Sequence, residues 1–272
     1  MTSLQKTIKY LAMAFAILLI VGIFGGILSA VGIFGGLFDK DTTSKDTTTE
    51  DSTAYAVSDK VTALDIEIGA ADFTIKEADA FNVESNLKNL TVTNKGGRLI
   101  IKEKSNFGTV YKDAALTLYI PADTVFDKVD INTGAGKLTV GALSANELDL
   151  DLGAGEVKID NLTALIDADI DGGAGKITVN SGSLANLDLD MGVGQLNLTS
   201  ALLGDSELSL GVGESNLTLV GNKEDYRLDV DKGVGNITVD GQSLSKFSNS
   251  TGANRVDIDG GIGAININFK AE

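Results

Sequence analysis

Carboxylates at a fixed offset from a glycine pair are the residues of this chain whose type and spacing could do chemistry. Four residues before each G-x-G, or its degenerate copy G-A-A, stand Asp65, Asp130, Asp149, Asp169, Asp188, Glu207, Asp229 and Asp257. Two residues further on come Glu67, Asn132, Asp151, Asp171, Asp190, Ser209, Asp231 and Asp259. Hard divalent cations take several carboxylate and carbonyl oxygens in flexible geometry. The pairs Asp149/Asp151, Asp169/Asp171, Asp188/Asp190 and Asp229/Asp231 are therefore the candidate metal ligands, with calcium the one candidate ion. Their spacing matches neither an EF-hand nor the calcium roll, whose aspartate follows its glycines. Two other uses of such columns are a solvated face that blocks unwanted association and a docking surface for a cationic partner.

Other chemistries are excluded by what is missing. The chain has no Cys and no His, so it has no thiolate nucleophile, no disulfide, no zinc-thiolate site and no imidazole base. A net charge of −16 with only Arg98, Arg227 and Arg255 as arginines argues against nucleic-acid binding. The glycine pairs are not phosphate loops. GAGKLT and GGAGKIT place Leu or Ile between Lys and Thr, and no copy ends a strand and opens a helix.

The elements that must position these acids are strands. Glycines 134, 153, 173, 192, 211, 233 and 261 each begin a G-x-G, at gaps of 19, 20, 19, 19, 22 and 28 residues. A period near 20 marks a stacked repeat. Apolar residues alternate strictly around each pair, with Ile131, Leu150 and Ile170 before it and Val140, Ile159 and Val179 after it. Period two means strands with one buried face. Each repeat thus reads as strand, glycine corner, strand, and a variable third side. Glycine suits such a corner because it lacks a Cβ and tolerates positive φ. Like positions keep like residues, which favours layers stacked in register over a meander of hairpins. The expected fold is all-β: a parallel β-helix of about ten coils, roughly 50 Å long at the usual strand spacing. The N-L-T and N-I-T triplets at Asn89, Asn161, Asn197, Asn216 and Asn236 fall on outward strand positions. The insertion Gly241 to Arg255 reads as a protruding loop, and no arginine falls in the regular strands that precede the glycines.

The N-terminal fifth has a different composition. Residues 10–38 run 29 positions without a charge, more than the roughly 20 that cross a bilayer. Lys6 and Lys9 precede the stretch, which predicts residues 1–9 in the cytoplasm, one transmembrane helix over 10–38 and the bulk outside. A cleaved signal peptide is the competing reading, although Leu28 suits its cleavage site poorly. Gly22, Gly26 and Gly36 share one helical face, where a second helix could pack closely. Residues 39–56, rich in Thr, Ser and Asp, lack apolar periodicity and read as a disordered linker to a repeat domain over 57–272.

LDIEIGAADFTIKE, TVTNKGGRLIIKEK and LTLYIPADTVFDKVDINTGAGKL, followed by the glycine repeats, give the chain from about Val57 to Phe269 a resemblance to a bacterial family. It resembles the putative-adhesin family of domains of unknown function. That resemblance implies a right-handed β-helix-like fold and cell-envelope placement, and it supplies no catalytic residues. The leading function is therefore a membrane-anchored, non-enzymatic envelope protein. It would meet an envelope protein or cationic partner, or sense the envelope, through its acidic face. The alternative is a polysaccharide lyase or glycosidase on a β-helix, which needs clustered carboxylates with a basic residue or a placed water. A third reading is a regulatory subunit whose glycine-faced helix binds a signalling partner.

Overall fold

The computed structural model describes residues 52–57, 60–104, 113–231, 233–244, 247–248 and 251–271, which fall in one compact unit, Glu50–Glu272. The first strands are β1 (Thr53–Ala56), β2 (Ala63–Ala78), β3 (Asn82–Ser85), β4 (Leu90–Lys95), β5 (Arg98–Glu103) and β6 (Ala115–Pro121). The extended run β7 (Val125–Val179) holds three successive repeats. β8 (Gly182–Ala185), β9 (Leu187–Leu203) and β10 (Asp205–Val220) follow. The chain ends with β11 (Tyr226–Asp231), β12 (Val234–Val239), β13 (Gln242–Leu244), β14 (Phe247–Ser248) and β15 (Asn254–Lys270).

Layers pair in parallel and in register. Asp65 lies against Asp130 and Ile66 against Ile131, Asp169 against Asp188, and Asp188 against Glu207. Alternate residues therefore stack inside as columns of Leu, Ile and Val. Leu64, Ile66, Val129, Ile131, Leu189, Leu208, Val230 and Ile258 are each at most 1% exposed. Burying a side chain of this kind stabilises by about 1.5–3 kcal/mol, and one continuous core runs through all layers.

Spatial order departs from chain order at the far end. β15, last in sequence, sits between β10 and the β11–β12 layer: Glu207 pairs with Asp257, and Asp257 with Asp229. β12 likewise pairs with β15, Gly235 against Gly263. The repeat carrying Gly233 is thus the outermost layer of its kind. β13 and β14 then cover it as antiparallel strands, on β12 and β11 respectively. Asp240 (φ 49°) and Gly241 (φ 76°) make the two-residue turn into β13, both with the positive φ that such a hairpin turn requires. At the near end, β5 and β6 each cover half of β2 in parallel. Antiparallel β4, β3 and β1 close that side. Among the described residues, short antiparallel strands cover part of the parallel edge at each end, which blunts pairing with another chain.

The fold class expected from sequence is corrected by this arrangement. Instead of a purely parallel β-helix of about ten coils in chain order, eight glycine-cornered layers form a mixed sheet with antiparallel strands at both ends. The strands β3 to β6 do not make further coils, because β3 and β4 fold back on β6 and β5. The expected transmembrane helix is not part of the fold described: among the described residues no helix is long and apolar enough to cross a membrane. The stretch 10–38, with Gly22, Gly26 and Gly36, lies outside the described residues. Thr53–Ala56, placed by composition in the linker, is β1, paired with β3. The segment after Gly241, expected as a protruding loop, supplies β13 and β14, because it has to turn the chain back before β15 can enter the stack.

Candidate functional site: an acidic face

The glycine corners set the site's geometry. A Cβ on Gly155 would lie 1.8 Å from the carbonyl oxygen of Gly136, and one on Gly194 the same distance from that of Gly175. Both residues have φ near +150°. Only glycine lets the backbone of one layer rest against the next here, so the corner is structural rather than a phosphate cradle. The contacts also confirm the spatial order: a Cβ on Gly261 would strike Gly211, and one on Gly233 would strike Gly261.

Before each corner, alternation turns every second side chain outward, and stacking joins these side chains into columns. The first column runs Asp65, Asp130, Asp149, Asp169, Asp188, Glu207, Asp257 and Asp229. The second includes Asp151, Asp171, Asp190, Ser209, Asp259 and Asp231. A third column, missed by the sequence reading, lies two residues earlier and holds Lys128, Glu147, Asp167, Asn186, Asp205, Arg255 and Arg227. The signal that could have found it is the same repeat alignment carried two positions further back.

The acids are therefore bracketed by cations. At the near end Lys102 of β5 binds Asp65 at 3.2 Å and Glu67 at 3.6 Å, and the Asp65 contact above all holds its ammonium above the ordinary range. At the far end Arg255 pairs with Asp257. Arg227 and Arg255 sit in β11 and β15, so the expectation that no arginine occupies these strands is also corrected. Between the two ends, the strands that precede the corners from Glu147 to Glu207 carry no lysine or arginine.

Crowding raises carboxyl pKa values in that middle stretch. Burial first, then the Asp130 and Asp151 charges, push Asp149 upward, against the opposing pull of Lys128. Asp169 is raised by burial and then by Asp171, Asp149, Asp188 and Asp167. Asp171 is raised by burial, by Asp151 and Asp190, and by a hydrogen bond with Asp151. Neighbouring charges about 4.8 Å apart repel by roughly 1 kcal/mol even in water. Amide partners relieve part of this, as where Asn132 Nδ2 donates to Asp151 at 3.1 Å. Beside the second column a groove of about 790 Å³ runs across the layers. Its lining combines Asp151, Asp171, Asp190 and Asp259 with the bare corners at Gly134, Gly153, Gly173, Gly192, Gly211 and Gly261, and among the described residues no lysine or arginine joins them.

As metal ligands the predicted pairs are spread out rather than gathered. Asp149/Asp151, Asp169/Asp171 and Asp188/Asp190 follow one another on adjacent layers, while Asp229/Asp231 lie two layers beyond Glu207, past Asp257/Asp259. Among the described residues no group of three or more carboxylates is placed to hold a metal ion. On the opposite flank of the corners, Asn and Thr form a ladder. Asn216 Nδ2 donates to Asn197 (3.1 Å), Asn266 Nδ2 to Asn216 (2.9 Å) and Thr238 Oγ1 to Asn266 (2.7 Å). The Asn197 and Asn216 triplets thus serve stacking.

Fold and face together define a stacked-repeat, all-β protein with one anionic side. The chain belongs to the Toastrack DUF4097 family, whose model matches residues 61–268. No curated protein matches it. Among solved structures it is similar to a putative adhesin from Bacteroides fragilis, at 13% identity and a TM-score of 0.49, covering 80% of this chain and 96% of that one. A putative cell adhesion protein from Clostridium sporogenes is 18% identical with a TM-score of 0.32, covering 81% and 99%. A putative lipid binding protein from Parabacteroides distasonis is 14% identical with a TM-score of 0.40, covering 80% and 97%. Family membership rests on the family model, not on these likenesses.

Proposed function

We propose that this protein is a non-enzymatic interaction module of the cell envelope that meets cationic partners through its acidic face. The observation that carries the reading is the run of outward carboxylates from Glu147 to Glu207, on consecutive layers, with no basic side chain in the segments that precede the glycine corners. Such a surface attracts basic partners and repels acidic ones over about a Debye length. Support for placement outside the cytoplasm comes from the sequence alone: an uncharged stretch over 10–38 with Lys6 and Lys9 on its N-terminal side. A polysaccharide-cleaving enzyme is disfavoured because the groove collects carboxylates along its length and, among the described residues, brings no lysine or arginine to any one of them. Calcium, the one candidate ion, would act on this face as a diffuse counter-ion rather than in a cage.

The test compares cells displaying the native full-length chain with cells displaying D149N/D169N/D171N/D188N/D190N. Attachment to a cationic protein-coated surface should fall for the variant. Equal attachment, or cleavage of an acidic polysaccharide by the native chain, would refute the reading.

A further inference from the structure

Strict alternation fails at one place, and there the surface becomes apolar. Ala164 pairs with Leu184 and Ala168 with Leu187, so Leu165, Ile166 and Asp167 face only Ala185 and Asn186. The extra residue bulges the strand, and both aliphatic side chains point outward, Leu165 56% and Ile166 55% exposed. Across Ala185, its register partner, lies Leu203, 43% exposed. Asn186 fixes the spacing: its Nδ2 donates to the Ile166 carbonyl at 2.8 Å and its Oδ1 accepts from the Asp205 amide at 3.2 Å. Nothing in the core requires these aliphatics, since the inward positions on either side of the bulge are filled by Ala164 and Ala168. Exposed aliphatic side chains gathered at one bulge and on the layers beside it mark a contact surface.

Its surroundings select the occupant. Asp167 and Asp205 border the patch, and the acidic columns begin beside them. A second copy would bring the same carboxylates face to face, and an anionic bilayer would be repelled. We infer that Leu165, Ile166 and Leu203 dock a protein segment carrying aliphatic side chains among lysines or arginines, the aliphatics on the patch and the cations on the acidic columns. The inference rests on the acidic-face reading above and adds to it the place and the apolar half of the partner.

The test uses the full-length chain in zwitterionic nanodiscs and three synthetic peptides of equal length: alternating lysine–leucine, lysine–serine and glutamate–leucine. The lysine–leucine peptide should bind best. L165S/I166S/L203S should weaken it about tenfold, to the level of the lysine–serine peptide, without changing the salt dependence. D167N/D205N should weaken it and flatten that dependence. The serines replace exposed groups, so an unchanged urea midpoint accompanies the expected result. Native-like lysine–leucine binding by the serine variant, or equal binding of the glutamate–leucine peptide, overturns the inference. So does a dimer of the native chain that the serine variant abolishes. If the serine variant binds like the native chain while the five-fold Asp-to-Asn variant does not bind, the patch fails and the acidic-face reading stands. If the native chain binds none of the peptides, both fail.

Discussion

Alanine at Gly155 tests the contact between layers directly. The new methyl would sit 1.8 Å from Gly136 O and 2.9 Å from its carbonyl carbon, against the 3.3–3.6 Å typical of even close C···O contacts. The adjoining layer has to retreat by more than an ångström, and overpacking of that kind costs about 1–3 kcal/mol. Gly155 also has φ +147°, a conformation that costs a residue with a Cβ about 1–3 kcal/mol. The sum, about 2–6 kcal/mol, is a large part of the 5–15 kcal/mol typical of a domain. Three other glycines separate the two effects. A Cβ on Gly96 (φ +60°) meets nothing within 4 Å, so G96A should cost only about 1 kcal/mol. A Cβ on Gly153 would lie 2.0 Å from Gly134 O at no positive φ, so G153A isolates the clash. A Cβ on Gly141 would come no nearer than 3.8 Å to Ile75 O, and G141A should be near neutral. Urea unfolding followed by circular dichroism gives all four midpoints. A G155A midpoint no lower than that of G96A would refute the layer contact as drawn.

Three further outcomes follow. Asp149, Asp169 and Asp171 have raised carboxyl pKa values, so the native state binds more protons than the unfolded chain above the ordinary carboxylate range. Stability should then rise as pH falls towards the ordinary carboxylate range, and D149N/D169N/D171N should flatten that rise in a thermal melt. Asp160, lowered by its bonds to Asn180 and Lys158, works in the opposite sense and loses its contribution at lower pH. Calcium should shift the melting midpoint no more than magnesium at equal ionic strength, because no described trio of carboxylates forms a cage; a calcium-specific rise, reversed by chelator, would contradict this. Tyr226, buried, donates to Val220 O at 2.6 Å and accepts from Leu202 N at 3.3 Å, so Y226F should cost about 1–2 kcal/mol in urea unfolding.

How much of this was legible in the sequence depended on whether the information was local. Alternation around G-x-G placed the strands, the buried Leu, Ile and Val columns and the stacked carboxylates, because a period of two and a lack of Cβ are properties of the chain itself. The order of layers was not legible. β15 carries the same pattern as every other repeat, with Asp257, Ile258 and Asp259 matching Asp229, Val230 and Asp231, so its seat beside β10 is as good a fit as one beyond β12. Which seat is taken depends on β13 and β14 turning the chain back. Those short strands lie in a segment with no periodicity to read. The aliphatic patch was hidden for a related reason: Leu165 and Ile166 look like one more buried pair until pairing shows three residues facing two. Lys102 was missed as a partner of Asp65 and Glu67 because β5 reaches them across the sheet from outside the repeat.

The layer order beneath the acidic face can be measured directly in a chain that has no native cysteine. Ser209 pairs with Asp259, and Asp231 lies one layer further on. Adjacent in-register positions bring Cα atoms within the roughly 4.4–6.8 Å that a disulfide spans, whereas a gap of two layers, about 9–10 Å, does not. Under mild oxidation S209C/D259C should crosslink within one chain and S209C/D231C should stay reduced. Efficient crosslinking of S209C/D231C with none in S209C/D259C would mean that the layers follow chain order, and the face described here would not exist in this form.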